Sequence, residues 1–147
     1  MKQNSWSMRF FAVVIVGILA AINFSCAKNN GDIGVWFGLW KVSSITVDGT
    51  ADHKYKGNMF FAFQNTAFEQ KIVADDHSTM QEVGVWEESG GKIVVTFPDS
   101  RYEPADGYML GGGERNELSY EVISSTRINL TLVTPQEKTV VYALEKW

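Results

Sequence analysis

One cysteine in 147 residues, Cys26, rules out a disulfide framework and a cysteine-rich zinc site. Positive charge is scarce too: 13 Lys and Arg stand against 17 Asp and Glu, and a net charge of −4 at neutral pH argues against nucleic acid as a partner. Long apolar runs are missing. The one uncharged stretch of note, Phe10–Ile22, spans only about 20 Å as a helix at ~1.5 Å per residue, short of the roughly 30 Å hydrocarbon core of a bilayer, which makes a permanent transmembrane anchor the weaker reading. Helical periodicity is absent over any stretch long enough to count. What is present is a hydrophobic content of 45% and an aromatic content of 13%, enough to build one core in one ordinary domain.

The N-terminus carries Lys2 and Arg9, then the apolar run, then Asn23, Phe24, Ser25 and Cys26. Charged head, apolar middle and small residues at the end make a secretory signal. Ser25-Cys26 at the close of that run resembles the lipobox of bacterial lipoproteins, which implies that Cys26 is acylated and becomes the first mature residue. Ser25-Cys26-Ala27 also reads as a small-x-small site for ordinary cleavage after Ala27, which would release a soluble periplasmic protein. The lipoprotein reading divides the chain into a signal peptide at 1–25, a lipidated N-terminus and flexible tether at 26–35, and a domain at 36–147. Loss of Lys2 and Arg9 takes the net charge from −4 to −6. Ala27 after the cysteine implies, by resemblance to the sorting rule of enteric bacteria, passage to the outer membrane. Only Asp32 supplies acidity to the tether, which favours a periplasm-facing position over surface export.

From residue 38 onward the pattern has period two, broken by turn signals, and predicts strands at 39–47, 58–64, 67–73, 80–87, 92–97, 117–123, 127–133 and 138–146. Met59, Phe61 and Phe63 share a face, as do Phe68 and Ile72, Leu118, Tyr120 and Val122, and Val140, Tyr142 and Leu144. In the first strand Trp40 and Val42 fall on one face and Ile45 and Val47 on the other, so a bulge or sharp bend is expected at Ser43-Ser44. Except for 98–116, no connection could hold a crossover helix, so successive strands are antiparallel. Connections 48–57, 74–79, 98–116 and 134–137 alternate with 65–66, 88–91 and 124–126, and the first set totals 39 residues against 9 in the second, which puts all the excess loop at one end. The expected fold is all-β, an eight-stranded antiparallel up-and-down barrel, closed at one end and open at the other.

Gly38-Leu39-Trp40 at the head of the first strand resembles the G-x-W signature of lipocalins and of lipocalin-like domains in bacterial lipoproteins, and the meander extends the resemblance over 36–147. Ser124-Ser125-Thr126-Arg127 stands where those proteins carry a T-D-Y-like motif, and the C-terminal helix usual on a lipocalin barrel is missing. The resemblance implies that Trp40 caps the closed end beneath a basic side chain. Strand parity brings Gly38, Trp40, Arg127 and Lys146 together there, so Lys146 or Arg127 is expected over the indole.

Chemistry is sparse. His53 and His77 fall in open-end loops with Asp48, Asp52, Asp75, Asp76 and Asp99, in spacings that match no metal-ligand pattern. No serine lies in a nucleophile elbow, and Gly111-Gly112-Gly113 lacks the Gly-Lys-Ser/Thr ending of a phosphate loop. No enzyme, cofactor or metal is therefore expected. Inward-facing Phe61, Phe63, Phe68, Phe97, Tyr120 and Tyr142 either line a cup for a small hydrophobic molecule or fill the barrel completely. In the first case Tyr102, Tyr108, Arg101 and His53 select at the rim, and loop 98–116 folds over as a lid on its glycine hinge. In the second, a solid-cored barrel serves as a protein- or glycan-interaction module. Either way the expected protein is a monomer, held to the bilayer through Cys26.

Overall fold

The computed structural model describes residues 34–98, 110–111 and 115–147. Contacts divide the chain into Met1–Gly34 and Val35–Trp147, and every strand belongs to the second unit. The stretch read as a signal peptide, Cys26 and the expected tether as far as Ile33 lie outside the described residues.

The strands are β1 (Gly38–Val47), β2 (Thr50–Ala51), β3 (Met59–Gln64), β4 (Ala67–Val73), β5 (Thr79–Ser89), β6 (Lys92–Thr96), β7 (Arg115–Ser124), β8 (Arg127–Val133) and β9 (Thr139–Lys146). Each of β3 to β8 pairs antiparallel with the next. β1 pairs with β3 on one edge and with β9 on the other, from Trp40↔Lys146 to Val47↔Val140, which closes eight strands into a barrel. Closure leaves no long unpaired strand edge.

The phase shift in β1 has its physical counterpart. The β1–β9 register slips between Val42 and Ser44, and the bulge turns Trp40, Val42 and Ile45 all toward the interior, where each is buried. A second slip, between Val122 and Ser124 of β7, has no phase signal in the sequence. The two-residue β2 lies inside the span expected to be loop 48–57. Asp48 and Gly49, both at positive φ, turn β1 back so that Thr46 faces Ala51 and Val47 faces Thr50.

Alternation does the rest. One face of the barrel strands, β2 apart, supplies a continuous core that includes Phe61, Phe63, Phe68, Ile93, Leu118, Ile128, Leu130 and Leu144. At one place a side chain could not fit: a Cβ on Gly84 would come within 2.4 Å of the Thr96 carbonyl oxygen and 2.7 Å of the Phe97 ring, so glycine here lets Phe97 lie flat against β5.

Candidate functional site

The short-turn end is sealed from within. Trp36, in the lead-in before β1, turns inward against Phe63 (centroids 5.4 Å apart) and edge-on to Tyr120 (4.9 Å). Its carbonyl accepts a hydrogen bond from Trp40 Nε1 at 2.7 Å. Lys146 Nζ lies 5.3 Å from the Trp40 ring centroid, a cation–π contact of about 0.5–2 kcal/mol, and its chain also passes within 3.5 Å of where a Gly38 Cβ would be. Arg127 takes a different partner, Glu145 on the adjacent β9, at 3.8 Å. Tyr120 donates its hydroxyl hydrogen to Glu88, which holds its pKa above the ordinary phenol value.

The interior is filled by rings. Phe61 contacts Phe68 and Tyr142 at 5.3 and 5.5 Å, Phe68 contacts Phe63 and Phe97 at 5.1 and 5.9 Å, and Trp86 stands edge-on to Phe63 at 5.1 Å. Phe61, Phe63, Phe68, Phe97 and Tyr142 are all fully buried, and burial raises the Tyr142 phenol's pKa well above its ordinary value.

Leu110 completes this packing. It belongs to the connection between β6 and β7, and its side chain is fully buried in the core. Gln70, equally buried on β4, anchors it: Oε1 accepts from Leu110 N and Nε2 donates to Leu110 O, both at 2.9 Å. One amide thus satisfies both main-chain groups of a residue inside the barrel. Nε2 also donates to Glu82 Oε2 at 2.9 Å, while Glu82 Oε1 is buried with no partner among the described residues. Asn116 Nδ2 holds Gly111 through its carbonyl at 3.0 Å. Gln70 shares its face with Phe68 and Ile72, which is the one sign in the sequence that its amide points inward. Tyr102, Tyr108, Arg101 and most of the glycine hinge lie outside the described residues.

Open space lies at the long-loop rim. A crevice of about 700 Å³ runs between the segment leading into β3 and its first residue, with Lys54, Tyr55, Lys56 and Met59, and the β4–β5 turn and the start of β5, with Asp75 and Met80. Met59, Ile72 and Met80 give it apolar lining, and Lys54 and Lys56 bring positive charge. Three contacts brace the walls: Lys56 Nζ to Asp75 Oδ2 at 2.5 Å, Asn58 Nδ2 to the Val73 carbonyl at 2.8 Å, and Val73 N to the Asn58 carbonyl at 3.1 Å. Tyr55 pins the nearer wall to the barrel, donating to the Val42 carbonyl at 2.7 Å and accepting from Met59 N at 3.1 Å. Partial burial pushes its pKa up to about 12. The crevice is lined by none of the aromatic residues expected to form a cup. His53 and His77 are exposed, and among the described residues no three His, Cys, Asp or Glu side chains converge as metal ligands would.

No family model and no curated protein matches the sequence. Solved structures do match in shape. A lipocalin-like protein from Bacteroides uniformis is 18% identical with a TM-score of 0.59, over 78% of this chain and 100% of its own. An uncharacterized protein from Bacteroides eggerthii is 14% identical with a TM-score of 0.57, over 76% of this chain and 99% of its own. At these identities the likeness is one of fold: a closed, eight-strand antiparallel barrel of lipocalin-like form.

Two outcomes are expected. Gln70→Leu leaves the Leu110 N–H and C=O without partners and lowers stability by on the order of 2–4 kcal/mol in urea unfolding. Tyr55→Phe removes two hydrogen bonds at a cost of about 1–2 kcal/mol at neutral pH. It also flattens the alkaline limb. With the folded phenol pushed up to about 12 and an unfolded one near 10, the neutral form favours folding below pH 10, and that contribution is lost as pH rises from 10 toward 12. Tyr142, shifted in the same direction, keeps a residual slope in the variant. Urea midpoints measured between pH 7 and 12 read both effects.

Proposed function

We propose that this chain is a non-catalytic, envelope-anchored lipoprotein whose lipocalin-like barrel binds a small, largely apolar molecule at its long-loop end. The observation that carries the reading is the rim crevice of about 700 Å³, within the size range of small-molecule sites, with thioether and aliphatic lining and two lysines. The packed interior directs the ligand there. With the rings in mutual contact and Leu110 buried above them, the calyx is already filled by the protein's own side chains. Affinity comes from apolar area removed from water, at about 25 cal/mol per Å².

Anchoring rests on Cys26 directly after the apolar run, with acylation tethering the domain to the periplasmic face of the outer membrane. A mature chain isolated from cells is expected to begin at an acylated Cys26, and a mass matching an unmodified Lys28 start would overturn the anchor.

The solid core also favours a second reading, in which the rim docks a protein or glycan of the envelope. A ligand panel separates the two. Calorimetry with fatty acids, retinoids and haem is expected to find at least one binder whose affinity falls tenfold or more, about 1.4 kcal/mol, in Met80→Glu, which places a charge on the crevice lining. Silence across the panel, with binding to a glycan array or an envelope protein instead, would favour the second reading.

A further inference from the structure

The outer wall of the closed end carries an apolar cluster that neither the barrel core nor the crevice uses. Trp147 is 73% exposed, Phe37 44% and Leu39 39%. They are neighbours by construction. Trp147 N donates to the Leu39 carbonyl at 2.9 Å, so the chain end runs alongside β1, and the Trp147 ring stands edge-on to Phe60 on β3 at 5.7 Å. Phe37 lies two residues before Leu39, in the lead-in to β1, and is likewise exposed. Lys41 Nζ lies 5.3 Å from the Trp147 centroid, holding a cation beside the exposed ring. Exposed aromatic groups of this kind, in a domain with so well packed a core, mark a surface that meets something.

We propose that this surface docks on the lipid bilayer to which the chain is anchored, so that the long-loop crevice faces away from the membrane. Two observations choose the bilayer. The first is chain length: eight residues lie between Cys26 and Val35, a reach of at most about 30 Å, and the chain enters the barrel two residues before Phe37. The part of the domain nearest the anchor is therefore the part that exposes tryptophan and phenylalanine, and the tether keeps it at high effective concentration near the surface. The second is charge. Around the cluster, Lys41 and Arg127 outnumber Glu145, while Lys71 and Glu69 on β4 cancel, in a protein whose net charge is −4. Tryptophan at the headgroup level flanked by lysine is the usual composition of a membrane-interface contact. A lipid chain plus a protein patch also supplies the two signals that stable attachment needs.

The placement rests on the anchoring reading, and the two are separable in one preparation. Protein purified from cells is added to vesicles of phosphatidylethanolamine and phosphatidylglycerol with brominated acyl chains, while mass spectrometry of the same sample reports the state of Cys26. Tryptophan fluorescence is expected to be quenched relative to unbrominated vesicles. Quenching should fall at least twofold in Phe37→Asp, which keeps Trp147, and in Trp147→Gln, with circular dichroism unchanged in both. Trp36 and Trp40 are buried and contribute little. Equal fluorescence in the two vesicle types would overturn the proposal whatever the state of Cys26. So would a concentration-dependent dimer in ultracentrifugation that Trp147→Gln abolishes without any change in quenching, since the occupant would then be a second copy of the chain.

Discussion

Eight strands enclose a volume that side chains can just fill, and this sequence fills it with rings. The other features of the structure follow from that choice. Rings as large as Phe61, Phe63, Phe68, Phe97 and Tyr142 need backbone that gives way locally: Gly84 where Phe97 lies against β5, and the bulge at Ser43 that lets both halves of β1 face inward. They also need both ends sealed, because rings left open to water would forfeit the burial that makes them worth including. Trp36 and Trp40 under Lys146 seal one end, and Leu110 seals the other.

The two seals solve one problem by different means. At the closed end the lead-in is short and adjacent to β1, so Trp36 can place its carbonyl on Trp40 Nε1 and its ring on Phe63 without a long-range bond. At the open end the sealing residue arrives on a long connection, and its main-chain groups pair with a side chain rather than with a strand's backbone. A buried peptide there would cost a few kcal/mol unless paired. Gln70 removes that cost by acting as a one-residue strand edge, offering an acceptor and a donor to Leu110 across forty residues of chain. Glu82 in turn accepts the second Nε2 hydrogen, which fixes the amide's orientation.

The strands were legible in the sequence because alternation is local, and so was the β1 bulge, since a single residue of phase error between Val42 and Ile45 has few remedies. β2 was legible in principle. Asp48-Gly49 is a strong two-residue turn signal, but only two residues pair on each side, too few to show alternation. The closed-end stack of Lys146 on Trp40 could be placed by strand parity, although parity could not choose between Lys146 and Arg127; Glu145, paired with Arg127 on the next strand, makes that choice. Gln70 was hidden by its type: a glutamine between Phe68 and Ile72 reads as a polar interruption until Leu110, on a loop with no periodicity, is seen to need it. The crevice was beyond reach for a similar reason, since its walls come from segments with no shared pattern and its lining from residues whose neighbours are set only once the barrel closes.

A filled barrel leaves the rim crevice, rather than the interior, as the place for the binding proposed above. In an open cup, selectivity would come from the inward faces of many strands, and changing it would mean recutting the core. Here the core carries the stability, and the rim segment from Lys54 to Met59 is held to it at few points, chiefly the Tyr55 hydroxyl on Val42 and Met59 and the Asn58–Val73 pair. The ion pair between Lys56 and Asp75, with both side chains largely exposed, adds little to stability but joins the two walls across the crevice. An anionic group entering between the walls would compete with Asp75 for Lys56 at small energetic cost, whereas a group entering among the packed rings would have to displace them and Leu110 together. The rim can therefore change its lining residue by residue without disturbing the eight-strand frame, and under the proposed function it is the part of this barrel where ligand chemistry is free to vary.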